Sequence, residues 1–269
     1  RITSVYFGGG TPTTLNAKQL ESLINRVRSC FDLTACREFT VEAGRPDSID
    51  EDKLAALKDC GVTRISINPQ TMNDETLKRI GRRHSVEQVF TAFELARKTG
   101  HDNINMDIIL GLEGEGLEHV QRTLSEIGSL SPESLTVHTL ALKRAARLVT
   151  EKQGFKGSGL SCVGDMVELT ADFAAKAGYE PYYLYRQKNM ADNLENVGYS
   201  KKGFECLYNI LIMEELQTIL ALGAGGSSKF VFPDREGRHR IERVENVKNV
   251  GHYIDRIDEM IERKRALYA

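Results

Sequence analysis

The sequence predicts an α/β fold: an incomplete (β/α) barrel of parallel strands followed by an α+β C-terminal part. Three observations carry that prediction. Over residues 1–150, short β-branched runs alternate with amphipathic helical runs, the pattern of parallel strands joined by right-handed crossovers. The dinucleotide fingerprint G-x-G-x-x-G and the Walker A loop are both absent, which favours a barrel over a Rossmann-type open sheet. Beyond residue 150 the alternation stops.

Taken in order, strand-like runs fall at Thr3–Phe7, Glu38–Glu42, Arg64–Asn68, Asn103–Leu110 and Ser134–Leu140. Each is rich in β-branched residues and runs into a polar or glycine-containing segment. Helices are expected over Asn16–Phe31, where Leu20, Leu23, Ile24 and Val27 recur at helical spacing, and over Glu51–Cys60, Val86–Thr99 and Leu117–Gly128. Asn16, Asp50 and Ser85 are placed as N-caps, and Gly61 and Gly100 as helix stops. The remainder predicts a helix over Cys162–Ala177, an aromatic strand Tyr179–Tyr185 and a polar stretch Arg186–Lys202. A helix near Glu205–Gln217, a glycine-rich Leu222–Lys229, a hairpin over Lys229–Val244 and a charged helix Val250–Leu267 follow. We expect a barrel core over residues 1–150. Residues 151–269 are expected to complete the barrel and cover its mouth.

Composition narrows function before any motif is weighed. A chain of 269 residues can bury a full core without a disulfide or metal staple. Hydrophobic residues at 41% and charged residues at 28% are globular values, not those of a disordered chain. Lys and Arg total 36 against 38 Asp and Glu, a net charge of −2, which sets aside a dedicated nucleic-acid binder. No apolar run approaches the ~18 residues that span a bilayer, and no signal-peptide core is present, so a cytoplasmic protein without a membrane partner is expected. The five cysteines, Cys30, Cys36, Cys60, Cys162 and Cys206, include no Cys-x-x-Cys, which argues against a disulfide framework and a zinc site. All five read as structural thiols. The chain opens on Arg1 and runs directly into a strand, so a segment ahead of Arg1 is expected.

Chemistry in a barrel gathers at the C-terminal ends of its strands. Here the first strand ends in Gly8-Gly9-Gly10-Thr11-Pro12-Thr13, whose glycines allow backbone to approach a ligand and leave N–H groups to hold it. Glu42 closes the second strand and Asn68-Pro69-Gln70 the third. Asp107 lies among Ile104, Met106, Ile108 and Ile109 in the fourth, and His138 and Thr139 close the fifth. Any one of these alone is more often a tight turn, a cap or a satisfied core group. Five at equivalent positions converge on one pocket suited to a small zwitterion carrying a ribose.

These residues also follow the order of a known family. Val5-Tyr6-Phe7-Gly8-Gly9-Gly10-Thr11-Pro12-Thr13 resembles the glycine motif of radical S-adenosylmethionine (SAM) enzymes of the oxygen-independent coproporphyrinogen III oxidase type. Val41–Pro46 matches next, then Ile67–Asn73 with Leu77, Ile80, Gly81, Arg82 and His84, then Asn105–Leu112. Pro181–Met190 and Asn193–Tyr199 are similar to the coproporphyrinogen dehydrogenase branch. The resemblance implies a radical-SAM-type barrel whose first strand and cluster loop lie ahead of Arg1. It places SAM against Gly8, Gly9, Gly10 and Thr11, with the last two at the methionine amino end, and against Glu42, Gln70 and Asp107. Arg82 is assigned to the methionine carboxylate, which its fork of donors suits, and the backbone at Ala141 to the adenine. The family's cluster motif, Cys-x-x-x-Cys-x-x-Cys, is not in this sequence, so this chain alone is expected to hold no [4Fe–4S] cluster and to be inactive.

For the intact protein the resemblance implies an oxidoreductase of haem biosynthesis. A reduced cluster cleaves SAM, and the resulting 5′-deoxyadenosyl radical takes hydrogen from a propionate of coproporphyrinogen III. Loss of carbon dioxide and one electron leaves a vinyl group, and two such events give protoporphyrinogen IX. A flavodoxin or ferredoxin is the expected electron donor. Lys143, Arg144, Arg147, Arg186 and Lys188 are candidates for holding the propionates, and Tyr182, Tyr183 and Tyr185 for stacking on the tetrapyrrole. Two alternatives stand beside this reading: a radical SAM enzyme with another substrate, and a haem-binding chaperone related to the family. The chaperones carry His-Asn-x-x-Tyr-Trp where this chain, which has no Trp, reads Arg186-Gln187-Lys188-Asn189-Met190.

Overall fold

The five β-branched runs at the head of the chain pair side by side as parallel strands. The structure, a computed structural model, describes residues 1–140, 162–185, 196–233 and 239–267. Strands β1 (Ser4–Phe7), β2 (Glu38–Gly44), β3 (Arg64–Gln70), β4 (Ile104–Leu110) and β5 (Ser134–Thr139) follow one another in both sequence and space. Helices α1 (Ala17–Cys30), α2 (Glu51–Asp59), α3 (Asp74–Arg79), α4 (Val86–Lys98) and α5 (Leu117–Leu130) form the crossovers. After α6 (Val163–Lys176), β6 (Glu180–Tyr185) and β7 (Asn196–Ser200) extend the sheet in the order β5-β7-β6, with β7 antiparallel to both neighbours. The result is an incomplete barrel with its helices on the outside, as the sequence predicts.

The helices begin where the sequence supplies caps. Asn16 and Ser85 each accept from the N–H three residues on, and Gln19 and Gln88 return the bond to the cap's own N–H. Asp50 accepts from the Lys53 N–H. Gly61 and Gly100 follow α2 and α4 with φ of +69° and +87°, the left-handed turn that ends a helix. Helix and sheet then meet through Leu20, Ile24, Leu54, Leu57, Val89, Phe93 and Leu124 against Val41, Ile65, Ile67, Met106, Ile108 and Leu135, all buried.

Three elements depart from the sequence reading. β7 lies inside the stretch read as polar, because Asn196, Gly198 and Ser200 alternate with only two apolar residues, Val197 and Tyr199; every one of the five is buried. Gly198 is needed there, since a Cβ would stand 1.9 Å from the Tyr183 ring. α3 is a six-residue helix, too short to show a period. The C-terminal helix is two, α8 (Val250–Asp255) and α9 (Ile257–Arg265), parted at Arg256.

The chain forms two compact units, residues 1–208 and 209–269. The sheet belongs to the first, as does the start of α7 (Leu207–Glu214). The second holds the antiparallel hairpin β8 (Ser227–Pro233) and β9 (His239–Glu245) with α8 and α9. Within it the buried Lys264 ammonium donates to Asn246 Oδ1 at 2.6 Å. Among the described residues no helix is long and apolar enough to cross a membrane. Ile65 is fully buried between the sheet and its helices. Ile65→Ala is expected to lower unfolding free energy by about 2–5 kcal/mol in urea denaturation, since the space it leaves closes only in part.

Candidate cofactor site

The two-residue period of the strands divides the sheet into an apolar face and a polar one. Val41, Ile65, Ile67, Met106, Ile108 and Leu135 pack on the helices. The alternate residues register across the sheet on the other side: Tyr6 beside Thr40, Thr40 beside Arg64, Glu42 beside Ser66, Ser66 beside Asn105, Asp107 beside Thr136. These side chains bond to one another. Thr136 donates to Asn105 Oδ1 at 3.1 Å, and Asn105 Nδ2 donates to Ser66 at 3.1 Å and Asp107 at 2.6 Å. Ser66 donates to Asn68 Oδ1 at 2.6 Å, and His138 Nε2 stands 3.9 Å from Asp107. Lower on the same face, the buried Arg64 donates to Ser134 at 3.0 Å.

Glu42 is the centre of the upper end. Its carboxylate accepts from the Tyr6 hydroxyl at 2.5 Å and from the Gly9 N–H at 3.3 Å. Burial raises its pKa; the Tyr6 and Gly9 bonds oppose that rise, while the nearby Asp107 charge adds to it. Gly8 is required beside it, because a Cβ there would lie 2.5 Å from the Tyr6 ring and 3.0 Å from Glu42 Oε1. Gly9 and Gly10 are left-handed, at φ +75° and +63°, with no atom within 4 Å of a would-be Cβ, so the loop presents bare backbone to open space. Thr13, fully buried, ties that loop down by donating to the Ala43 carbonyl at 2.6 Å, and it lies 2.6 Å from Ser48 Oγ.

The remaining predicted residues stand at the ends of β2 and β3. Thr11 precedes the 3-10 turn Pro12–Thr14, its methyl beneath Gly44. Gln70 is buried with φ +69°, beyond a register shift in the pairing of β3 with β4. Arg82 follows the left-handed Gly81 and is half-buried. Burial and the Arg45 charge lower its pKa, and it has no ion pair among the described residues. Arg45 instead clasps Asp47 through both carboxylate oxygens. The structure thus brings Gly8, Gly9, Glu42 and Asp107 into one electrostatic cluster and leaves Thr11, Gln70 and Arg82 at the neighbouring strand ends. Ala141, Lys143, Arg144, Arg147, Arg186 and Lys188 lie outside the described residues.

Sequence reasoning passed over Tyr6, Thr13, Ser66, Asn105 and Thr136. Their signal was available, since a helix-covered parallel strand is ordinarily apolar on both faces and these strands carry a polar residue at every second position.

These groups fit the expected zwitterion. A half-buried carboxylate suits an ammonium, and the Gly10 amide and a half-buried guanidinium without an ion pair among the described residues suit a carboxylate. The superfamily's iron–sulfur cluster has no Cys-x-x-x-Cys-x-x-Cys to hold it in this sequence. Among the described residues no three His, Cys, Asp or Glu side chains gather as a metal site.

Removing the Tyr6 hydroxyl takes away a bond that favours the charged carboxylate. Tyr6→Phe is therefore expected to raise the Glu42 pKa further above its ordinary 4.5, read by carbon-13 NMR titration of the side-chain carboxyl. The stability linked to this group is complete below 4.5 and is lost as pH rises through the raised value, and the variant moves the end of that window upward.

Residues 1–127 match the radical SAM superfamily. An oxygen-independent coproporphyrinogen-III oxidase-like protein, HemZ, of Bacillus subtilis (strain 168) is 48% identical over 265 residues, which cover 98% of this chain and 52% of that protein. A haem chaperone, HemW, of the same organism is 33% identical over 262 residues, covering 96% of this chain and 63% of its own length. The chain spans about half to two thirds of these relatives. Among solved structures, coproporphyrinogen III oxidase (HemN) from Escherichia coli superposes with a TM-score of 0.71 over 96% of this chain and 57% of its own, at 22% identity, a likeness of fold. That superfamily works with SAM and a [4Fe–4S] cluster, and its barrel is the one these strands build. Residues 1–127 carry the radical SAM superfamily domain, and the chain is similar over nearly its whole length to an oxygen-independent coproporphyrinogen III oxidase-like protein.

Proposed function

We propose that this chain is the SAM-binding part of an enzyme that oxidatively decarboxylates propionate side chains of coproporphyrinogen III to vinyl groups. The observation that carries the reading is the half-buried Glu42 carboxylate, held by Tyr6 and Gly9 at the strand ends of a barrel. The relative at 48% identity supports the substrate class. When bound with a reduced cluster, SAM supplies a radical able to remove hydrogen from an unactivated carbon. The cluster's cysteines are proposed to lie outside these 269 residues, which leaves this chain by itself inactive.

Each residue then has a defined task. Gly8 keeps the space over Glu42 clear, Gly9 steadies the Glu42 carboxylate through its N–H, and Gly10 offers its amide to the ligand. Arg82 takes the methionine carboxylate, and Gln70 and Asp107 take polar edges of the nucleoside. The polar row from Ser66 to Thr136 fixes Asp107 before any ligand arrives, so no reorganisation is needed at binding. Lys143, Arg144, Arg147, Arg186 and Lys188 are proposed to meet the substrate's carboxylates, and a flavodoxin or ferredoxin to deliver electrons.

The haem chaperone is the second reading, favoured by the 33% identity to HemW. Against it stand the missing tryptophan and the Arg186–Met190 segment in place of the chaperone element. Anaerobic incubation of the full-length protein with SAM, reductant and coproporphyrinogen III separates the two. Protoporphyrinogen formation supports the decarboxylase, and stable haem binding without turnover supports the chaperone.

Two outcomes test the cofactor reading. The 269-residue chain is expected to bind SAM only weakly in calorimetry, because the cluster is not there to hold the methionine end; tight binding would contradict that. In the full-length protein, Asp107→Ala is expected to slow SAM cleavage by roughly tenfold or more, the loss of one charge-assisted hydrogen bond. A wild-type rate would take Asp107 out of the site.

A further inference from the structure

Gln70 adopts a backbone that its side chain disfavours. Its φ of +69° lies in the left-handed region, where a residue bearing a Cβ is strained by about 1–2 kcal/mol. The residue is buried and follows Pro69, at the end of β3 where the pairing with β4 loses register. Something must hold this turn in place.

The peptide plane between Pro69 and Gln70 decides the matter. Rotating that plane changes ψ of Pro69 and φ of Gln70 together, so whatever fixes the Pro69 carbonyl fixes the handedness of Gln70. That carbonyl lies 3.2 Å from His84 Nε2. A carbonyl only accepts, so Nε2 carries the proton and Nδ1 is the bare nitrogen of a neutral imidazole. His84 is buried, and its Nδ1 has no hydrogen-bond partner. Burial lowers its pKa, which the Pro69 carbonyl and Asp47 oppose and the Arg82 and Arg45 charges reinforce. A second ring proton at Nδ1 would have no acceptor, so the ring stays a neutral, single-proton donor aimed at Pro69.

We infer that His84 is a positioning residue whose Nε2–H holds the Pro69–Gln70 peptide and so locks Gln70 in the left-handed conformation that presents its amide to the ligand. The inference rests on the SAM reading only for the identity of that ligand. Because Arg82 lies two residues before His84, one short segment both supplies a guanidinium and sets the backbone opposite it.

The test uses two variants of the 269-residue chain. His84→Phe keeps a ring and removes the donor; His84→Gln keeps an N–H near the position of Nε2. A left-handed residue shows a strong intraresidue HN–Hα nuclear Overhauser effect, read here at Gln70. That signal is expected to weaken in His84→Phe and to persist in His84→Gln. SAM affinity, followed by NMR titration, is expected to drop about fivefold to tenfold in the first variant and little in the second. A Gln70 signal unchanged in a folded His84→Phe protein overturns the inference, as does equal loss in both variants. If the Gln70 signal collapses while SAM affinity is untouched, the positioning role stands and Gln70 leaves the proposed SAM site.

Discussion

A parallel sheet whose helices cover one face can leave the other face open only if that face satisfies its own polar groups. This constraint governs the molecule. Ser66, Asn68, Asn105, Asp107 and Thr136 project from three adjacent strands at every second position, and each bonds to a neighbour in the row. Were one member replaced by an apolar residue, its partners would keep their desolvation cost without the compensating bond. The row is therefore a connected lattice, not a set of separate contacts. Its rigidity is what lets Asp107 and Glu42 stand close together with one of them pushed toward its neutral form. The hydroxyls of Thr40 and Ser200, buried without partners, mark where the lattice stops.

The lower end of the sheet is tied to the upper one through a single strand. Glu38, at the start of β2, accepts from the Leu207 and Tyr208 N–H groups at 2.7 and 3.1 Å, a carboxylate placed at the positive end of α7. Tyr208 in turn stacks on Tyr6 with ring centroids 4.3 Å apart. Tyr6 is the donor to Glu42, at the other end of β2. The arrangement makes the orientation of the Tyr6 hydroxyl depend on where Glu38 holds Leu207 and Tyr208. Arg64, buried near Glu38, keeps this end from carrying a net negative charge.

How much of this the sequence reveals depends on whether a feature is local. The five parallel strands, the capped helices and the glycine loop are local: β-branched runs, Asn16, Asp50 and Ser85 at helix starts, and three adjacent glycines each announce a backbone state by composition. β7 is not local. Asn196-Val197-Gly198-Tyr199-Ser200 is a strand because β5 and β6 offer it hydrogen bonds on both sides and because Tyr183 needs the space over Gly198. Within the site, Glu42 and Gln70 were marked by their place at strand ends and Asp107 by standing among apolar strand residues. Tyr6, Asn105 and Thr136 were not, since each looks like an ordinary strand residue until the register sets it beside a partner.

The left-handed positions around the site sharpen that contrast. At Gly9 and Gly10 the backbone needs φ above zero, the space beside it is open, and the chain uses the residue with no Cβ. At Gln70 the backbone needs the same, yet the chain keeps a side chain there and bears the strain. Glycine at position 70 would relieve it at no steric cost. The strain is tolerated only if the amide on that side chain does something that backbone cannot. The glycine loop offers the ligand its main chain, and Gln70 offers a side chain from an equally turned backbone, steadied from behind by His84. The strained residue is thus a stronger sign of a binding surface than the glycines, although the glycines are what the eye finds first in the sequence.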